Sequence, residues 1–110
     1  MTTLTMLLLA LSLAGIPAET RTLSVSAFTD ADGAHPYRGL MASGQYTRQG
    51  AAACGPSYAF GTLFVVAGKP YICLDRGPAI SDGHLDLWHA DRETALLWGR
   101  QELAVVVVRP

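Results

Sequence analysis

Asp75 and Asp86 lie eleven positions apart in the run Cys73-Leu74-Asp75-Arg76-Gly77-Pro78-Ala79-Ile80-Ser81-Asp82-Gly83-His84-Leu85-Asp86-Leu87-Trp88. Each follows an apolar residue, and turn chemistry separates them: Gly77-Pro78 and Asp82-Gly83 supply bends that bring two strand ends together. A carboxylate set among apolar residues on a strand is partly desolvated. Two carboxylates in one cleft are a common device for acid/base work on a glycosidic bond. Asp82, directly before Gly83, reads instead as a turn former. His84 stands between Asp82 and Asp86, but no further ligands accompany the three, so neither a metal site nor a cofactor is expected.

Strands must carry these side chains. Residues 22–28 alternate, with Leu23, Val25 and Ala27 on one face and Thr22, Ser24 and Ser26 on the other, the pattern of a half-exposed strand. Asp30-Ala31-Asp32-Gly33 and His35-Pro36 form a polar loop whose acidic residues are turn formers, because the rest of a calcium-binding EF-hand loop is missing. Short apolar pieces follow at 40–42 and 51–54. Residues 60–66 and 71–74 read as buried strands joined through Ala67-Gly68-Lys69-Pro70. Asp91 is placed to cap a short helix over 92–98, with Gly99 at its C-terminal end. The apolar, β-branched run 103–108 reads as a central strand. Many short strands, Gly-rich turns and one helix predict an all-β protein closed into a barrel. In it Trp88 and Trp98 are core or barrel-mouth residues rather than sugar platforms, and His35 and His89 are loop residues.

At 110 residues the chain has room for one domain, and its 50% hydrophobic content supplies a core. A net charge of -1, with eight scattered Lys and Arg, gives no basic stripe, which argues against nucleic acid and against electrostatic attachment to an anionic surface. Residues 1–18 form a separate block: the apolar stretch Met6-Leu7-Leu8-Leu9-Ala10-Leu11-Ser12-Leu13, then small residues and Pro17. The block reads as a signal peptide cleaved after Ala14 or Ala18, although no Lys or Arg precedes it. An uncleaved anchor or a buried helix are the alternatives. It is too short for a settled transmembrane span, and with no Cys behind it a lipoprotein anchor is not indicated. The domain then runs over 19–110, secreted or held in the periplasm or cell wall, without a membrane span after cleavage. Its two cysteines, Cys54 and Cys73, favour a disulfide in an oxidising compartment, with two reduced, buried thiols as the alternative. Closing a loop of about 20 residues stabilises a small domain by roughly 3 kcal/mol.

In order, these pieces resemble the three-aspartate domain of bacterial cell-wall lytic enzymes, found also in membrane-bound lytic transglycosylase A. Val25-Ser26-Ala27-Phe28 is similar to the family's opening Val-Thr-Ala-Tyr, Met41-Ala42-Ser43-Gly44 to its Thr-Ala-Ser-Gly, and Phe60-Gly61-Thr62 to its Leu-Gly-Thr. The most specific portion spans 75–100, where the family reads Asp-Thr-Gly-Gly-Ala-Ile-Lys-Gly-x-x-Ile-Asp-Leu-Phe and then a capped helix ending in Phe-Gly-Arg. Asp75, Gly77, Ala79, Ile80, Asp86, Leu87, Ala95, Leu96, Gly99 and Arg100 fall on that pattern. Asp75-Arg76-Gly77-Pro78 also resembles the Asp-Arg-Gly-Pro motif of rare lipoprotein A. Two departures stand out. The first of the family's three aspartates is Cys54 here, and the family's Lys after Ala-Ile is Ser81, with the extra carboxylate Asp82 beside it.

The resemblance implies a six-stranded double-psi β-barrel, and peptidoglycan glycan strands as the partner of a monomer. It implies lytic transglycosylation: cleavage of the β-1,4 bond between N-acetylmuramic acid and N-acetylglucosamine by attack of the muramyl C6 hydroxyl on C1, leaving a 1,6-anhydro sugar. One carboxyl serves both steps, first as acid and then as base, which requires a raised pKa. By resemblance that group is Asp86, desolvated between Leu85 and Leu87, and Asp75 is the supporting carboxylate. Substrate contacts are expected from Gly77 and Ala79 and from Ser43, Gln45 and Tyr46, with an ordinary solvent-facing loop as the alternative for the last three. Barwin-like and expansin proteins share the barrel and bind polysaccharide with little or no cleavage, so a non-catalytic glycan-binding module is the rival expectation. A muramidase using water and the Asp75/Asp86 pair is a third.

Overall fold

Alternating side chains dictate the architecture. In the computed structural model, which describes residues 2–30 and 39–110, each main strand turns one set of apolar side chains inward and the set between them outward. The elements in chain order are α1 (Thr3–Leu13), β1 (Glu19–Phe28), β2 (Ala51–Cys54), β3 (Leu63–Val66), β4 (Lys69–Asp75), β5 (His84–Trp88), α2 (Arg92–Trp98) and β6 (Gln101–Val108). The six strands close into a barrel in the order β1-β5-β2-β4-β3-β6.

Two pairs, β1 with β5 and β2 with β4, are parallel, and the other four are antiparallel. Exchanging β1, β2 and β3 with β4, β5 and β6 maps this pairing onto itself. Two interlocked halves joined by two parallel pairs are the double-psi arrangement, and closure leaves no strand edge open to another chain.

Leu23 and Val25 of β1, Phe64 and Val66 of β3, Leu85 and Leu87 of β5, and Val105 and Val107 of β6 meet inside, with Tyr58 and Tyr71. Full burial of each Leu or Phe stabilises the fold by roughly 1.5–3 kcal/mol. Tyr58 and Phe64 pack edge to face, ring centroids 5.1 Å apart. Cys54 and Cys73 form a disulfide that ties β2 to its parallel neighbour β4, Cα atoms 5.7 Å apart.

A second, smaller apolar cluster lies outside the barrel wall. Ala51 of β2 and Leu74 of β4 face outward and are covered by Met41, with Ile72 and Trp88 at the margin. This cluster seats residues 39–47 against β2 and β4. Within that segment Leu40 pairs with Tyr46 as an isolated bridge.

The helix expected over 92–98 is α2: Asp91 accepts the Thr94 N–H at 2.9 Å as its N-cap, and Gly99 ends it with a φ of 63°. Trp98 anchors it, its indole Nε1 donating to Val25 O at 3.2 Å. A further helix, α1, forms in the apolar segment read as a leader. It buries none of its residues, so the alternative of a buried helix there does not hold. Among the described residues no helix is long and apolar enough to cross a membrane. Of the polar loop expected at 30–36 only Asp30 is described; it accepts from Thr47 Oγ1 at 2.9 Å and from Trp88 Nε1 at 3.2 Å. The rest of that loop, His35 included, lies outside the described residues.

Candidate functional site

β5 sets the site. Leu85 and Leu87 are 0% exposed and point into the barrel, so the alternate residues His84, Asp86 and Trp88 lie on its outer face. Asp86 is half-buried, and burial pushes its carboxyl above the ordinary 3.8; Asp75 adds a little in the same direction, while the Ser26 hydroxyl, His84 and Arg100 oppose it. The expected direction is therefore present, but its expected source is not. Neighbours in a strand face opposite ways, so Leu85 and Leu87 cannot shield the carboxyl between them. Shielding comes instead from cleft walls supplied by Phe28 of β1, Ala53 of β2 and Ile80.

A β-bulge delivers Asp75 to the same place. Along β2 and β4, Ala52 pairs with Cys73 but Ala53 pairs with Asp75, so the register slips by one residue at Leu74. Cys73 faces the core and Leu74 the outer cluster; strict alternation would send Asp75 inward. The extra residue re-aims it outward beside Ala53. Ala53 also pairs with Asp86 across the other edge of β2. Both carboxylates line one cleft of about 260 Å³, together with Gly77, Pro78 and Ala79. Gly77 allows this wall to fold tightly, since a Cβ there would meet Ile80 Cγ1 at 3.0 Å.

The two carboxylates have different duties. Asp75 Oδ1 accepts from Ala42 N and from Arg76 N, each at 2.9 Å. Beside it, Ser43 N donates to Leu74 O at 3.0 Å, and Met41 N to Gln45 O at 2.9 Å. Asp75 thus pins the 41–45 turn. Asp86 Oδ1 instead accepts from a side chain, the Ser26 hydroxyl, at 2.9 Å. Ser26 Oγ is also 2.7 Å from His84 Nε2, and His84 Nδ1 is 3.4 Å from Ala79 O. Ser26 and His84 reach Asp86 because β1 and β5 run parallel with Ser26 opposite Asp86.

Arg76 supports the cleft from behind. Its NH2 donates to Tyr58 O at 2.6 Å, its NH1 lies 2.8 Å from Cys54 Sγ and 3.2 Å from Cys73 Sγ, and its guanidinium sits 4.3 Å from the centre of the Phe60 ring. The cation stacks on an aromatic face and covers the disulfide. Cys54 itself faces the core, so the position that resembles the family's first aspartate does not line the cleft.

No protein-family model matches the chain, and no curated protein matches it.

Of the residues expected at that site, the structure gathers Asp75, Asp86, Gly77 and Ala79. Ser43, Gln45 and Tyr46 occupy the turn that Asp75 holds, beside the cleft rather than in its walls, and Tyr46 is 72% exposed. Asp82 is a turn residue: its Oδ1 accepts from Ser57 N at 3.0 Å, and hydrogen bonds from Ser57 hold its carboxyl below the ordinary value. Among the described residues no three His, Cys, Asp or Glu are placed to hold a metal ion. Trp88 belongs to the outer cluster and Trp98 to the barrel margin. His89 follows β5, its ring centroid 6.0 Å from that of Trp98.

Sequence reasoning missed Ser26 as a partner of Asp86, His84 as a partner of Ser26, and Phe28 as a wall. The alternation of β1 places Ser26 on the polar face and that of β5 places His84 beside Asp86. The parallel register that joins them leaves no local signal.

Proposed function

We propose that this barrel is a lytic transglycosylase of peptidoglycan, exported by its N-terminal segment and acting outside the cytoplasm. Asp86 is its acid and then its base. The observation that carries the reading is the state of Asp86: a half-buried carboxyl with a raised pKa, open to a cleft, bonded on its inner side to a hydroxyl. Such a group holds a proton above the ordinary carboxyl range, gives it to the glycosidic oxygen as the bond breaks, and then takes one from the C6 hydroxyl that closes the anhydro ring. Protons balance over the cycle and no water is consumed.

The cleft fits a polymer better than an enclosed metabolite. At about 260 Å³ it lies below the roughly 300–1,000 Å³ of sites that engulf a small ligand, and it accommodates part of a glycan lying across the barrel wall. Its apolar walls, Phe28, Pro78 and Ile80, suit the faces of sugar rings. Asp75 supplies negative charge that supports an oxocarbenium-like transition state. Its Oδ1 accepts two backbone N–H groups, which commits that oxygen to holding the 41–45 turn.

The same commitment of Asp75 to the 41–45 turn favours a second reading, a glycan-binding module without cleavage. Digestion of purified peptidoglycan by residues 19–110 in the oxidised form, beside Asp86→Asn, separates the two. Anhydro-muropeptides found by mass spectrometry with the wild type and absent with the variant support the transglycosylase. Binding to the sacculus with no soluble product across a pH series supports the binding module.

A further inference from the structure

Behind Asp86 runs a chain of three hydrogen bonds: Asp86 Oδ1 to Ser26 Oγ at 2.9 Å, Ser26 Oγ to His84 Nε2 at 2.7 Å, and His84 Nδ1 to Ala79 O at 3.4 Å. A hydroxyl has one proton to donate, and a carbonyl oxygen only accepts. Two arrangements satisfy every link. In the first, protonated Asp86 donates to Ser26 Oγ, Ser26 donates to His84 Nε2, and His84 Nδ1–H donates to Ala79 O. In the second, Ser26 donates to ionised Asp86, and His84, protonated on both nitrogens, donates to Ser26 Oγ and to Ala79 O. Both contain the same number of protons. They interconvert when Asp86 passes its proton to Ser26 Oγ as Ser26 passes its own to His84 Nε2.

We propose that Ser26 and His84 are positioning residues that share one exchangeable proton with Asp86, so that the acid of this site is the three-residue chain rather than one carboxyl. The proposal rests on the reading of Asp86 as the acid/base group. The chain is built into the barrel: β1 and β5 run parallel in a fixed register, with Ser26 opposite Asp86, and His84 precedes Asp86 by one full strand repeat on the same face. The Ala79 carbonyl, from the loop that also walls the cleft, orients the imidazole. Other charged groups acting on Asp86 are Asp75 at the end of β4 and Arg100 after α2, whose NH1 donates to Ser24 Oγ at 3.2 Å. A proton shared in this way leaves in a step that belongs to the pair, not to either residue.

The test is an NMR titration of the oxidised domain that follows the Asp86 side-chain carboxyl carbon and the His84 ring nitrogens, in the wild type, Ser26→Ala and Ser26→Thr, alongside anhydro-muropeptide release over the same pH range. The expected wild-type result is that each titration step appears in the signals of both residues. Ser26→Ala should separate the two curves and move the Asp86 midpoint upward, since a hydrogen bond to the ionised carboxylate is lost, and Ser26→Thr should restore the coupling. A purely structural Ser26 would leave the coupling intact. Independent Asp86 and His84 curves in the wild type overturn the proposal even if a variant fails to fold, as do curves unchanged in Ser26→Ala. Coupled curves without glycan cleavage sink the transglycosylase reading and leave the chain standing, whereas cleavage with uncoupled curves does the reverse.

Discussion

Asp75 and Asp86 stand opposite the same residue, Ala53, one across each edge of β2. Two strand spacings therefore separate their Cα atoms, roughly 10 Å, and the smallest apolar side chain lies between them. The arrangement leaves an open floor in the cleft. It also divides the work: Asp75 holds the 41–45 turn through the Ala42 amide, while Asp86 keeps a carboxyl that can change its proton.

Asp86→Asn should abolish glycan cleavage, a loss of about 10²–10⁴-fold for removal of an acid/base group, with the barrel intact. Wild-type cleavage should persist above the ordinary carboxyl range and fall as pH rises through the raised Asp86 midpoint, because the acid form starts the reaction. Rates of anhydro-muropeptide release against pH check both outcomes.

The same substitution should stabilise the fold at neutral pH. Between 3.8 and the raised folded midpoint the unfolded chain has released the Asp86 proton while the barrel retains it, so the native state binds more protons. The stability this group contributes is full below the unfolded value and is lost as pH rises through the folded one. Asn has no charge to bury and keeps an oxygen for Ser26. Thermal unfolding of the two proteins should show a higher Tm for Asp86→Asn at pH 7 and convergence near pH 3.

Asp75→Ala should loosen the 41–45 turn, whereas Asp75→Asn, which keeps an acceptor for Ala42 and Arg76, should largely preserve it. Losing hydrogen bonds to a charged acceptor costs about 1.5–3 kcal/mol each in protected settings, and less here because the Ala42 bond is exposed. Hydrogen exchange checks this: the Ala42 and Ser43 amides should exchange faster in Asp75→Ala, with β5 amides unchanged.

Reducing the disulfide, or Cys54→Ser with Cys73→Ser, should destabilise the domain by roughly 3 kcal/mol through the freed unfolded chain. That corresponds to a fall in Tm of roughly 10–20 °C. Arg76 would lose its seat over the sulfurs, so the cleft wall should become less ordered before the barrel melts. Calorimetry with and without reductant measures the first effect.

Gly55→Ala should destabilise by about 1–3 kcal/mol or more, as overpacking does. A Cβ there would fall 2.5 Å from the Asp82 backbone, and neither backbone segment has a flexible end to move. Gly83→Ala, two strands away along the sequence yet next to Asp82, meets only Ser81 Oγ at 4.0 Å and is the tolerant control. Denaturant midpoints of the two variants should differ accordingly.

Local features were legible without the fold. Asp91 and Gly99 bracket α2 because a cap and a C-terminal glycine act over a few residues of chain. The polar and apolar faces of β1 follow from a period of two, and two cysteines admit a single intramolecular pairing, which the structure contains. That Asp75 and Asp86 belong together was also readable, from their types and the turns between them.

What the sequence determined by itself was the alphabet of the site: a strand-borne carboxyl, a second one beside a turn, a polar stripe on β1 and a cysteine pair. Tertiary structure decided which side chains meet. The slip at Leu74 turns Asp75 outward, and it exists only in the pairing of β2 with β4. The outer cluster over Ala51 seats the loop that Asp75 holds, and the parallel register of β1 and β5 brings Ser26 to Asp86 across 60 residues of chain. The physical reason is separation along the chain. Caps and alternation arise from neighbours a few bonds apart, but register and bulges are set when the whole barrel closes around one core, and no short stretch of sequence carries that condition.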